Sequence, residues 1–289
     1  TKVSDSPAET TPVRRKLPFT PTEAEQAQQQ WAAYLRQPVE LTDSVGQRLR
    51  LVPPGEQEIE PGYDVVLSRA FYLGRTEVTV GEFRKFVEAT NYVTHAESSG
   101  LGGFVHVVAL TTEVEQKPEH VWKNKRFADD DQRPVGQVTI VDMERYCQWL
   151  SEKEGCTYRL PTEAEWYWAA RAGLSATNLF GESDQAAYEI AWLGEISENR
   201  SHVVGGKRPN AWGFCDMLGN MCEMCSDGYD DAFPKGKFEN PTRPATQARR
   251  IGLGSSFADP PTFMRLNLNE NMPFHSIGFR VVREIPAKP

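Results

Sequence analysis

The sequence predicts an α+β fold, loop-rich, with few helices and short antiparallel strands. Helical periodicity is confined to a few stretches, each opened by its own capping signal. Beyond Gly173 only short apolar runs remain, broken by glycine and proline. No strand–helix–strand rhythm of the kind that builds a parallel sheet recurs along the chain, and no internal repeat is present.

Residues 1–20, TKVSDSPAETTPVRRKLPFT, are rich in threonine, proline and charge and read as a flexible N-terminal arm. A helix over 21–37 follows, with Thr22 as N-cap, Glu25 closing a capping box, and Ala24, Ala27, Trp31 and Leu35 along one face. Residues 38–289 form the main domain. Glu40–Leu51 and Val65–Leu73 read as strands around a Pro53–Glu56 turn. Thr79 and Glu82 cap a second helix carrying Phe83, Phe86 and Val87. Residues 91–135 lack a period and read as a long loop. A third helix spans Val141–Glu154 and stops at Gly155. A fourth begins at Thr162, capped by Glu165, and ends near Ala172-Gly173.

The net charge of −8 and the lack of a basic stripe argue against nucleic acid. No apolar run approaches the ~20 residues that span a bilayer. Five cysteines are too few for a disulfide framework. The chain opens on Thr1, as a cleaved export signal or a trimmed sequence would leave it, and a periplasmic or secreted setting is the expectation.

Five segments in order carry a resemblance: FYLGRTEVTVGEF at 71–83, RPVGQVTIVDMERYCQWL at 133–150, YRLPTEAEWYWAARA at 158–172, NAWGFCDMLGNMCEMCSD at 210–227 and SIGFRVVR at 276–283. Together they resemble the sulfatase-modifying-factor family, the formylglycine-generating-enzyme fold, over roughly residues 40–285. The resemblance implies a fold related to C-type lectin-like domains. In the family's oxidases two cysteines follow a GGSW-like turn and bind copper. Here that turn reads GSSFADPPTFM at 254–264, and the matched positions hold Asp259 and Met264. Neither is a thiolate, so copper is not expected. Where the family usually carries tryptophan this chain has Ile140, Cys222, Met224, Gly228 and Phe257. Such losses imply either coordinated repacking or a surface put to new use, and the second is the expectation.

Carried over by position, the family's calcium ligands become the Asp216 and Glu223 carboxylates and the Gly219 and Met221 carbonyls, a hard oxygen set that suits Ca²⁺. The competing reading pairs those carboxylates with cations. Cys222 and Cys225 lie on a predicted strand, where i and i+3 face opposite ways, so packing is preferred to a redox or zinc role. The five histidines form no ligand pair by spacing, and His275 alone lies near the family's cleft. The remaining cleft candidates are Asp259, Phe263, Met264, Arg265, Asn267, Asn269 and His275, with exposed aromatic and arginine anchors for a protein partner. The expectation is a non-catalytic recognition or assembly subunit. The alternatives are a metal-dependent oxidoreductase with an altered site and a purely structural component of an assembly.

Overall fold

A computed structural model of the chain describes residues 10–106, 113–174, 183–245 and 247–286. Its elements are short strands and helices mixed along the chain, as expected for α+β. A five-stranded sheet orders Glu40–Thr42, Arg48–Val52, Phe71–Gly74, Val282–Glu284 and Tyr158–Arg159, all antiparallel to their neighbours. A second sheet orders Arg265–Asn269, Arg249–Leu253, Cys222–Gly228 and Ile277–Gly278, the last pair parallel. A third carries the Gly55–Glu60 and Tyr63–Leu67 hairpin between Arg15–Lys16 and Gly236–Glu239.

The capping signals locate the helices. Thr79 with Glu82, and Thr162 with Glu165, close reciprocal boxes on the helices Val80–Thr90 and Glu163–Arg171. The third helix runs Ile140–Glu154 and is closed by Thr139 with Asp142. The first helix, Pro21–Leu35, is capped two residues earlier than the sequence suggested. Thr20 and Glu23 form its box, because Pro21 fits the first helical turn, where no amide bond is lost.

The arm expected over 1–20 is ordered in its last third. Arg15 and Lys16 pair with Gly55 and Glu56. The Phe19 ring lies 5.7 Å from both Trp168 and Trp212. Residues 1–9 of that arm lie outside the described residues. The long loop at 91–135 holds a one-turn helix, His95–Ser98, and a hairpin of Gly103–His106 with Val114–Lys117. A further short helix, Asp184–Ile190, is capped by Ser183.

Two apolar cores flank the sheets. One gathers Trp166, Trp168, Trp212, Phe214 and Cys225. The other gathers Phe83, Phe86, Tyr146, Met224 and Phe279. Met224 and Cys225 thus face different cores, as alternation along a strand requires. Gly55 is dictated by this packing, since a Cβ there would lie 2.0 Å from the Trp168 ring.

Ile140, Cys222, Met224 and Phe257, which stand at usual tryptophan positions, are all at most 2% exposed, and Gly228 is buried too. The expectation that they form a new surface is therefore corrected: they are core, filled by smaller side chains and closer backbones. At Gly228 a Cβ would meet the Ala245 backbone at 2.6 Å, so the close approach of the chain leaves no room for a side chain there.

Candidate functional site

The loop 254–264 leaves the Arg249–Leu253 strand through Gly254 and Ser255, both with positive φ. Gly254 is required, because a Cβ there would press on Met217 O at 2.7 Å and on the Trp166 ring at 2.9 Å. Ser255 tolerates its left-handed backbone by donating its hydroxyl to Thr262 O at 2.6 Å. Asp259 turns inward along the loop. Its Oδ2 accepts the Ser256 amide and hydroxyl, each at 2.7 Å. A carboxylate so engaged braces a turn, and the loop contains no cysteine.

The predicted cleft residues do not converge on one point. Phe263 packs on Tyr167 at 5.4 Å and Trp166 at 6.1 Å. Met264 beside it is half-buried. Arg265, expected as an exposed anchor, is committed inward. Its Nε donates to the buried Glu163 carboxylate at 2.5 Å, and its guanidinium lies 4.5 Å from the Tyr229 and Phe233 rings. Arg243 joins it on Glu163. Asn267 and Asn269 are exposed on the edge strand and border a shallow hollow of about 460 Å³ with Gln247, Ala248 and Arg249.

His275 stands apart from these, against Phe257 at 5.3 Å, and meets residues that sequence spacing kept separate. His106 at the end of the 103–106 strand lies 5.9 Å from it, ring to ring. Phe127 lies 6.1 Å from His275 and 5.5 Å from His120. The Nδ1 atoms of all three histidines are buried without a partner among the described residues. Burial, then the charges of His106, Arg126 and His120, push the His275 imidazole down to about 3. No local period signalled this group. The Gly103 amide on His120 O, the His275 amide on Phe104 O and the pairing of Phe104 with Phe274 bring the segments together.

The four positions expected to hold calcium do lie together, at the entry to the Cys222–Gly228 strand. Their carboxylates are differently engaged. Glu223 accepts from Arg280 Nε at 2.5 Å, from Arg280 Nη2, and from Trp166 Nε1 at 2.7 Å. Arg280 is fully buried and also donates to the carbonyls of Gly74, Cys215 and Asp216. A guanidinium fixed on Glu223 occupies the oxygens a cation would need and opposes its charge. Asp216 accepts the Gly205 amide on Oδ2 at 2.6 Å, and its Oδ1 is buried without a partner among the described residues. Burial, reinforced by Glu223, pushes Asp216 up to about 6, against the pull of the Gly205 amide and Arg280. Glu77, wholly buried beside them, is pushed well above the usual carboxylate range by burial and by Asp216 and Glu223. Glu223 is thus paired with a cation, as the competing reading has it, while Asp216 and Glu77 keep buried oxygens without a partner among the described residues. Among the described residues no three His, Cys, Asp or Glu side chains are spaced to hold a metal ion.

All five cysteines are free. Cys147, Cys215, Cys222 and Cys225 are buried, and burial pushes each thiol above its ordinary range. Cys156 is half-buried and accepts from Arg283 Nε at 3.2 Å.

Known proteins resemble this chain in sequence and in fold. The formylglycine-generating enzyme of Streptomyces coelicolor is 29% identical over 221 residues, covering 65% of this chain and 68% of that protein. The bovine formylglycine-generating enzyme is 28% identical over 220 residues, and the match spans 57% of its length. A mouse protein named inactive C-alpha-formylglycine-generating enzyme 2 is 26% identical over 235 residues, covering 72% of this chain and 70% of that one. Among solved structures, PvdO from Pseudomonas aeruginosa superposes with a TM-score of 0.67 at 22% identity, over 85% of this chain and 98% of that one, which establishes the shared fold. The sulfatase-modifying factor enzyme 1-like domain model matches residues 38–285, and the chain belongs to that family.

Proposed function

We propose that this domain is a non-catalytic member of its family that works as a recognition or assembly subunit for a protein partner. The observation that carries the reading is the 254–264 loop. The positions where the resemblance expects thiols hold Asp259, tied to Ser256 by two hydrogen bonds, and the neutral thioether of Met264. Neither side chain exchanges with a disulfide or forms a copper dithiolate. The buried thiols elsewhere are held protonated, which removes them as nucleophiles. Two relatives that carry the word inactive in their names fit the same reading. An extracytoplasmic setting belongs to the proposal as well.

The test is direct. The protein is incubated with Cu(I), oxygen and a cysteine-containing sulfatase-type peptide, and the peptide is weighed by mass spectrometry. The expected result is an unchanged thiol. Conversion of the cysteine to an aldehyde would return the domain to the oxidases.

A further inference from the structure

The histidine group beside Phe257 has unmet hydrogen-bonding capacity. Three imidazoles, from three separate chain segments, each carry a buried Nδ1 without a partner among the described residues. A neutral imidazole has one nitrogen that donates and one that accepts, and a buried unpaired nitrogen costs free energy. The walls around them are aromatic. Phe274 lies 5.3 Å from His106, Phe257 lies 5.3 Å from His275, and Phe127 touches both His120 and His275. The Arg126 guanidinium sits over Phe127 at 5.5 Å. Glu115 faces the group, its carboxylate 2.9 Å from Lys117 and 3.8 Å from His120, and the charges of His120 and Arg126 act on it. Asp259, on the adjoining loop, is spent on Ser256. The charges that act on His275 from its neighbours are all positive.

We infer that His106, His120, His275 and Arg126 form a binding site for an anionic group, carboxylate or phosphate, carried on a flat apolar moiety. Arg126 supplies a fork of donors for two oxygens. The imidazoles supply further donors, and the phenylalanine faces hold the ring to which the anion is attached. This inference rests on the recognition reading of the cleft, yet it is tested without reference to peptide oxidation. A domain that leaves the peptide unchanged and binds no anion would fail here alone.

An anion placed on His275 favours the imidazolium, so binding takes up a proton. Affinity then rises about tenfold for each pH unit lowered while one proton is taken up. The experiment follows the histidine side-chain nitrogens by NMR while benzoate, acetate, inorganic phosphate or a glutamate-rich peptide is added between pH 8 and pH 6. Benzoate is expected to move all three imidazoles and to bind about tenfold more tightly than acetate. The phosphate and peptide arms separate a free anion from a protein-borne carboxylate. Arg126→Ala, on an exposed side chain, is expected to weaken benzoate about tenfold, and His275→Phe to remove the pH dependence while keeping the ring contact with Phe257. Imidazole signals that stay put at tens of millimolar of every anion would overturn the proposal. So would one-to-one zinc binding at these histidines with no response to anions.

Discussion

At the scale of single residues, Glu223 shows how one contact redirects a site. Its carboxylate is shared by Arg280 and Trp166, so the charge of this one carboxylate is already balanced. A ligand that binds only the native state stabilises it by RT ln(1 + [L]/Kd), and its removal reverses that gain. Chelation is therefore expected to leave the melting temperature unchanged. A drop on adding chelator that Glu223→Ala abolishes would restore the ion. Glu82 gives a second residue-level prediction. It closes a capping box by accepting the Thr79 amide at 2.8 Å, while burial raises its carboxyl from 4.5 to about 7. For a raised acid the stabilising effect of its proton is full below the unfolded value and is lost as pH rises through about 7. Glu82→Gln keeps the capping bond and removes the titration. The wild type should lose more thermal stability between pH 5 and pH 8 than the variant. Parallel melting curves across that range would contradict the assignment.

At the scale of elements, the segment before the first helix acts as part of the core. Phe19 fills the space between Trp168 and Trp212, and its amide donates to Gly173 O at 3.0 Å. Phe19→Ala should cost ~2 kcal/mol and lower the melting temperature by roughly 4–8 °C. A shift under one degree would show the segment to be merely laid on the surface. The helices that were legible in the sequence were those with a local code: Thr79 with Glu82 and Thr162 with Glu165 announce their own starts. Residues 15–19 carry no such code, because their order comes from the strand at 55–60 and from tryptophans more than a hundred positions away. The same holds for the candidate site. The motif at 210–227 placed Asp216 and Glu223 together, but nothing local in it named Arg280 as the partner. His275 is far along the chain from His106 and His120, and the paired strands Gly103–His106 and Val114–Lys117, docked on Phe274 and His275, unite them.

At the scale of the whole molecule, the two cores share the Cys222–Gly228 strand, and that burial governs thiol chemistry. Four of the five thiols are enclosed and pushed upward in pKa, which suppresses the reactive thiolate. A disulfide reagent should modify Cys156 quickly in the native protein and reach all five cysteines only after denaturation. Fast native labelling at Cys222 or Cys225 would show that this strand opens. The five-stranded sheet carries a further consequence, for synthesis. Its fourth strand, Val282–Glu284, is threaded between Phe71–Gly74 and Tyr158–Arg159, so a strand made late joins two made well before it. Until it emerges, both earlier strands expose an unpaired edge, and Arg280 is not yet there to meet Glu223. This sheet therefore closes only after residue 284 has been made, and a nascent chain stopped short of residue 280 leaves two open strand edges for a chaperone to cover.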